Sequence, residues 1–330
     1  MTGFFASFVL YLGLVPSLIV NLLRIRTKVY YEDETRQNKK LKGKAIIISN
    51  HQHPLDGLVI LHKYFFRRIY YIIGDFFKQG FSRLLRIFIR LSGGVIVDRE
   101  TFSFDFFEQS KRLLNKGKLL LIFPEGRFSY EYEPIRFIYS YLMLALQNDT
   151  PIVPVVSDCN YGLKSRTHII IGNSIEPAKL IDPRDVTKEK LVEMNESIYQ
   201  KFMELYYELK KRKYAHLSKR YICAAPQAGD MVRIPCGNYY HYGVYLDPER
   251  VVQFGRPKNG DNTEICVNAV TLAEFCGDKI PEIRVLARNE RKYRRKTKDI
   301  IAYALFCIGQ KGYNLSTNNC RHFAERVILK

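Results

Sequence analysis

Five short apolar runs set the tightest limit on how the first half of this chain can fold: Ala45-Ile46-Ile47-Ile48, Val95-Ile96-Val97, Leu119 to Phe123, Ile152 to Val156 and His168 to Ile171. Each is continuous and apolar, as a strand buried on both faces must be, and helical stretches lie between several of them. Alternating strands and helices predict an α/β unit, a mixed sheet flanked by helices. The charged, amphipathic segment Asp185 to Lys213, with Leu191, Met194, Ile198, Phe202 and Leu205 at three- and four-residue intervals, predicts a helix packed on that unit.

Ahead of the first run, Phe4 to Leu23 carries no charged side chain and is about long enough to cross a bilayer or lie deep in one leaflet. Its basic flank (Arg24, Arg26, Lys28) follows rather than precedes it, the reverse of a signal peptide. Gly13 and Pro16 suit a kinked membrane helix. Residues 1–30 are therefore expected to form a membrane-associating helix, with the remainder held on the cytosolic face by its positive charge.

The unit carrying the apolar runs is expected over 31–214, a connection over 215–228, and a second unit over 229–330. The second has a different texture: Val232-Arg233-Ile234, His241 to Leu246 and Arg250 to Phe254 read as strands, with helices at Asp299 to Gly309 and Cys320 to Ile328. It is expected to be a small α+β domain. Lys and Arg number 52 against 33 acidic residues, a net charge of +19, so the partners are anionic. No nucleic-acid motif is present, which leaves an anionic phospholipid surface or a nucleotide-bearing donor as the expected partner. Seven irregularly spaced Cys without a Cys-x-x-Cys pair argue against a disulfide framework and a zinc ribbon, and a reducing, cytosolic setting is expected.

The first candidate site follows the strand ending at Ile48, in Ser49-Asn50-His51-Gln52-His53-Pro54-Leu55-Asp56-Gly57. A carboxylate holding one imidazole nitrogen leaves the other free to take a proton from an attacking hydroxyl. Three further blocks follow: Gly93 to Arg99, Phe123-Pro124-Glu125-Gly126-Arg127-Phe128-Ser129, and Pro151 to Pro154. An arginine at a turn rich in backbone donors suits a phosphate. His53 and His62 have no Cys nearby, and no metal is expected. Arg83, Arg86 and Arg90 share one face of a predicted helix over Phe81 to Gly93, placed to lie among lipid head groups or on an exposed edge of the fold.

From about Leu41 to Pro177 these four blocks resemble the glycerolipid acyltransferase family typified by bacterial lysophosphatidate acyltransferase. The resemblance implies His51 as general base, Asp56 as its orienting carboxylate, and Arg99 with the Glu125-Gly126-Arg127 turn on the acceptor phosphate. It also implies acyl-CoA or acyl carrier protein as donor, with no bound cofactor. The family block reads Glu-Gly-Thr-Arg-Ser, whereas here Arg127 stands one place early and Phe128 takes the usual arginine position.

The second candidate site joins Tyr239-Tyr240-His241-Tyr242-Gly243-Val244-Tyr245-Leu246 to Asn318-Asn319-Cys320-Arg321-His322-Phe323. A cysteine opening a helix has its thiolate stabilised by backbone N–H groups and the helix dipole, and a strand histidine alongside would deprotonate it. From Gly229 onward the chain resembles the lecithin:retinol acyltransferase-like branch of the NlpC-type papain-like thiol enzymes. That resemblance implies His241, Gln253 and Cys320 as its working residues and a thioester intermediate on Cys320. Many relatives carry His where Gln253 stands; a Gln can hold the tautomer of His241 but cannot carry charge.

Taken together, the two resemblances imply a bifunctional lipid enzyme that acylates a lysophospholipid through His51 and removes or transfers acyl chains through Cys320. The competing readings are an acyltransferase with a C-terminal peptidase, amidase or inactive regulatory module, and a nonenzymatic basic protein of the membrane surface. The basic run Arg284 to Lys298 is expected either to contact anionic head groups or to be a solvated linker.

Overall fold

The computed structural model describes residues 26–35, 37, 40–74, 87, 89–91, 93–97, 104–129, 131–161, 166–181, 185–257 and 264–330. The chain divides into two compact units, Met1–Leu209 and Lys210–Lys330. The expected membrane helix over residues 4–23 lies outside the described residues, as do Arg83, Arg86 and Arg99. Among the described residues no helix is long and apolar enough to cross a membrane.

The first unit is a seven-stranded sheet built from β1 (Arg26–Tyr31), β2 (Ala45–Ser49), β3 (Ile69–Gly74), β4 (Gly94–Val97), β5 (Leu119–Ile122), β6 (Ile152–Ser157) and β7 (Arg166–Ile171). Its helices are α1 (Asp56–Lys63), α2 (Phe104–Asn115), α3 (Ser140–Gln147) and α4 (Lys188–Tyr214), the last running past the division between the units. The strand order is β1-β7-β6-β2-β5-β3-β4, parallel at every pairing except β6 with β7. This is the mixed sheet flanked by helices that the apolar runs predict.

Strand alternation explains why those runs are continuous. Ile46, Ile48, Leu120 and Ile122 enter one core with α3 and α4, through Tyr141, Leu142, Phe202 and Leu205. Ala45, Ile47, Leu119 and Leu121 enter a second core with Val59 and Ile60 of α1. Burying each such side chain stabilises the fold by about 1.5–3 kcal/mol, enough to fix the register of β2 against β5 and β6. Two strands lay in stretches whose composition hid them. Residues 26–30, expected as the end of the membrane-associating helix over 1–30, instead belong to β1, which pairs in parallel with β7 and turns Val29 and Tyr31 into the second core. β3 sits between β4 and β5.

The second unit is an antiparallel sheet of β8 (Arg220–Cys223), β9 (Asp230–Cys236), β10 (Tyr239–Asp247), β11 (Arg250–Gly255), β12 (Cys266–Val270) and β13 (Glu282–Val285), ordered β12-β11-β10-β9-β13-β8. The helices α5 (Leu272–Cys276), α6 (Thr297–Phe306) and α7 (Cys320–Ile328) complete it. The span 215–228, expected as a connection, contains β8, which pairs with β13. Val232, Ile234, Tyr245, Val251 and Val270 form a core with Phe275 of α5 on one face. On the other face α7 packs through Phe323 against Phe254, and through Glu325 bonded to Arg284 at 2.8 Å. Arg284, the first member of the basic run, is therefore an internal ion pair. Arg294 of the same run bonds inward to Gly229 O.

Candidate active sites

In the first unit, β2 lies between β5 and β6 and is parallel to both. Parallel neighbours deliver the loops at their carboxyl ends to one place, which is where ligands bind in open α/β sheets. The loops 50–55, 123–129 and 158–161 accordingly meet, although more than a hundred residues separate the first from the last.

Asp56 opens α1 and is 1% exposed. Its Oδ2 accepts the backbone N–H groups of Gln52 and His53, both at 2.7 Å, and lies 3.4 Å from His51 Nδ1. With the Nδ1 proton directed at Asp56, Nε2 is the acceptor. The imidazole is sandwiched between Phe123 and Phe128, with ring centroids at 3.9 and 4.0 Å, which fixes its plane. The departure at Phe128 thus has a structural role: it supplies one wall of the histidine slot. Ser129 N donates to His51 O at 2.7 Å and ties the two loops together.

Glu125 is buried, and neither carboxylate oxygen has a hydrogen-bond partner among the described residues. Burial pushes its pKa up to about 8, with the Asp56 and Glu131 charges adding to the rise and the nearby His51 N–H and Arg127 opposing it. Gly126 takes φ +70°, and a Cβ there would sit 2.7 Å from Ile138 Cδ1, so the turn needs glycine. Arg127 is exposed and faces Glu131 at 3.4 Å. Arg99 lies outside the described residues. His53 is structural: its Nδ1 accepts Leu55 N at 3.1 Å.

Three contributors escaped the sequence reading. Asn50 bonds Ser157, Tyr161 donates its hydroxyl to Asp56 Oδ1, and the Cys159 thiol lies against the Asp56 carboxylate. Asn50 stands just past the buried run of β2, a signal the sequence carries; Cys159 and Tyr161 follow β6, and only the pairing of β6 with β2 brings them to Asp56.

In the second unit, His241 Nε2 and Gln253 Oε1 are 2.7 Å apart, and Gln253 Nε2 donates to Asn268 Oδ1 at 3.1 Å. Asn268 in turn donates to Gly255 O and Cys266 O, so a polar chain crosses β10, β11 and β12. His241 packs near Phe275 of α5, and with Gln253 it lines a cavity of about 300 Å³ that also takes in Cys236, Phe275 and Lys279. Asn268 also escaped the sequence reading.

Cys320 is the first residue of α7, and Asn319 caps the helix by accepting Arg321 N at 3.0 Å and His322 N at 3.1 Å, as the Asn pair predicts. The thiol meets the backbone N–H of Tyr242, the residue after His241, and the Tyr313 hydroxyl. Burial raises its pKa, outweighing those donors and the helix N–H groups. No hydrogen bond joins Cys320 to His241 among the described residues. The alternation of β10 explains why: His241 faces α5, while the body of α7 packs on the opposite face.

Comparison with known proteins finds one family match in each unit. Residues 27–158 match the family model described as Acyltransferase, and residues 224–329 match the one described as Lecithin retinol acyltransferase. Each match covers less than half of the chain, the first within the N-terminal part and the second within the C-terminal part. The crystal structure of the 1-acyl-sn-glycerophosphate (LPA) acyltransferase PlsC from Thermotoga maritima is similar at 19% identity, over 57% of this chain and 73% of that one, with a TM-score of 0.41. A comparison with curated proteins finds no match.

Proposed function

We propose that the first unit transfers a fatty acyl group from acyl-CoA or acyl carrier protein to the free hydroxyl of a lysophospholipid at the cytosolic face of a membrane. The observation that carries this reading is the His51–Asp56 pair at the carboxyl end of β2, its ring held in an aromatic slot. The acceptor hydroxyl attacks the thioester carbonyl while His51 Nε2 takes its proton. The tetrahedral intermediate collapses with breakage of the C–S bond, and the leaving thiolate receives that proton. Asp56 supports the transient imidazolium charge. Arg99 and the Glu125-Gly126-Arg127 turn are assigned to the acceptor phosphate, with neutral Glu125 donating to a phosphate oxygen at pH 7.

For the second unit we propose thiol chemistry: the Cys320 sulfur attacks a lipid ester carbonyl, the ester C–O bond breaks, and the lysolipid leaves as an alcohol with the thiol's proton. The acyl group held as a thioester then passes to water or another acceptor, regenerating the thiol. Its place at a capped helix start, beside the strand residue that follows His241, supports this. A second reading, a regulatory module without chemistry of its own, is favoured by the missing Cys320–His241 hydrogen bond.

The test is acyl transfer from labelled acyl-CoA to a lysophospholipid panel by the full chain in detergent, with His51→Ala and Cys320→Ala beside the wild type. Loss of acylation in the His51 variant alone, and of deacylation in the Cys320 variant alone, is expected for two sites. Acylation untouched by His51→Ala sinks the first assignment; deacylation untouched by Cys320→Ala leaves the regulatory reading.

A further inference from the structure

The turn after β6 is more heavily fastened than a loop at a strand end requires. Asp158 Oδ1 accepts both Asn160 N at 3.2 Å and His168 N at 3.0 Å, and Thr167 Oγ1 donates to Asn160 O at 2.9 Å. Cys159 adopts φ +49°, an uncommon conformation for a residue with a side chain, and its N–H donates to Ser157 Oγ. This geometry brings Tyr161 back over the first site. Its ring lies 4.6 Å from that of His53, and its hydroxyl donates to Asp56 Oδ1, the oxygen opposite the one that faces His51.

We infer that Tyr161 is a positioning residue for acyl transfer: by donating to Asp56 Oδ1 it fixes the carboxylate and shares its charge, and so sets how firmly His51 holds a proton. This rests on the reading of His51 as the base. Tyr161 lies outside both matched segments, 27–158 and 224–329. Its pKa is raised by burial and by the Asp56 charge, and that of Cys159 is raised by the same two causes, so both stay protonated beside the carboxylate. The other titratable groups in this neighbourhood are His53 on the β2 loop, Glu125, Arg127 and Glu131 on the β5 loop, and Asp158 on the β6 turn. None of the hydrogen bonds described here joins one of them to Asp56 Oδ1.

The sign of the effect follows from the charge. Without the Tyr161 hydroxyl, the Asp56 charge is less shared and holds a protonated His51 more firmly. His51 must be neutral to accept the hydroxyl proton, so a higher pH is then needed for the same rate.

The experiment compares full-length wild type, Tyr161→Phe and His51→Ala in kcat and KM for acylation of lysophosphatidate, and kcat/KM across pH, with thermal midpoints recorded alongside. Tyr161→Phe keeps the ring against His53 and removes one charge-assisted donor. The expected result is a fall in kcat of about tenfold, KM within about twofold, and an acid limb displaced to higher pH. An acid limb left in place overturns the inference, even if kcat falls, because a purely structural role would lower the rate without moving the limb. If His51→Ala leaves transfer intact, the base assignment itself has failed; if it abolishes transfer while Tyr161→Phe keeps the wild-type profile, only the role of Tyr161 has failed.

Discussion

Asn50 and Ser157 clamp each other across the carboxyl ends of two neighbouring parallel strands: Asn50 Nδ2 donates to Ser157 O and Ser157 N donates to Asn50 Oδ1, both at 2.9 Å. Both residues are buried, and His51 is the next residue after Asn50. The clamp therefore fixes where the β2 loop leaves the sheet and where the Cys159–Tyr161 turn begins.

Asn50→Ala strands the Ser157 amide in the core and leaves its carbonyl with only the long contact from the Cys159 thiol, at 3.8 Å. Leaving buried backbone groups unpaired costs about 1–3 kcal/mol, so the unfolding midpoint of the first unit is expected to fall. Acyl transfer should fall further than the folded fraction alone explains, because His51 and Tyr161 lose their common anchor. Denaturant titration read beside activity checks this; an unchanged midpoint shows that the clamp contributes nothing to stability.

Glu125 ties stability to pH in a direction opposite to most carboxylates. Its carboxyl ionises in the usual acid range when unfolded but at about 8 when folded. Between those values the native state binds more protons than the unfolded one, so stability declines as pH rises through the window and levels off above it. Glu125→Gln removes the liability, and its midpoint is expected to exceed the wild type at pH 8 while nearly matching it at pH 4. Ionised Glu125 also opposes an acceptor phosphate, so the wild-type KM should rise above pH about 8 and that of Glu125→Gln should not. Thermal melts and acceptor titrations at several pH values decide both points; parallel pH responses in the two proteins would mean that Glu125 is charged throughout.

How much of this was legible in sequence follows from the physics of each element. β2, β5 and β6 are buried on both faces, so their apolar runs announce them, and the polar residues just past each run announce the loops that form the site. β1 was obscured because its Arg26 and Lys28 read as the flank of a membrane segment, and β8 because an exposed edge strand needs no apolar face. His51 with Asp56 was readable as a local pair five residues apart. Tyr161 was not, since only the parallel pairing of β2 with β6 brings it to Asp56. In the second unit the Asn-Asn-Cys order foretold a capped helix start, but not the balance between helix field and burial at the thiol, which the surrounding core decides.

Cys320 offers a direct measure of that balance. Cys320 is 6% exposed and burial raises its pKa, whereas Cys223 is exposed on β8. Alkylation at pH 7 followed by peptide mapping is expected to label Cys223 well before Cys320, with Cys320 labelling accelerating as pH rises. Rapid labelling of Cys320 at pH 7 would mean that a base reaches the thiol in solution, and would favour the catalytic reading of the second unit over the regulatory one.

Arg284 separates the internal from the exposed part of the basic run. Its side chain is 1% exposed, donating to Glu325 Oε1 at 2.8 Å and to Ser218 O at 3.1 Å. Removing one partner of a buried pair leaves the other charge poorly compensated, here eased by Arg321, which also reaches Glu325 at 3.3 Å. Arg284→Met is therefore expected to destabilise the second unit by about 3 kcal/mol. At temperatures where it stays folded, its affinity for vesicles containing anionic phospholipid should match the wild type, because a buried guanidinium cannot reach a head group. Arg288, Arg291 and Lys292 are exposed, and replacing all three with Gln is expected to weaken vesicle binding in a salt-dependent way. Equal loss of binding from Arg284→Met and the triple variant would place the Arg284 charge at the membrane surface; no loss from the triple variant would remove this run from the lipid contact altogether.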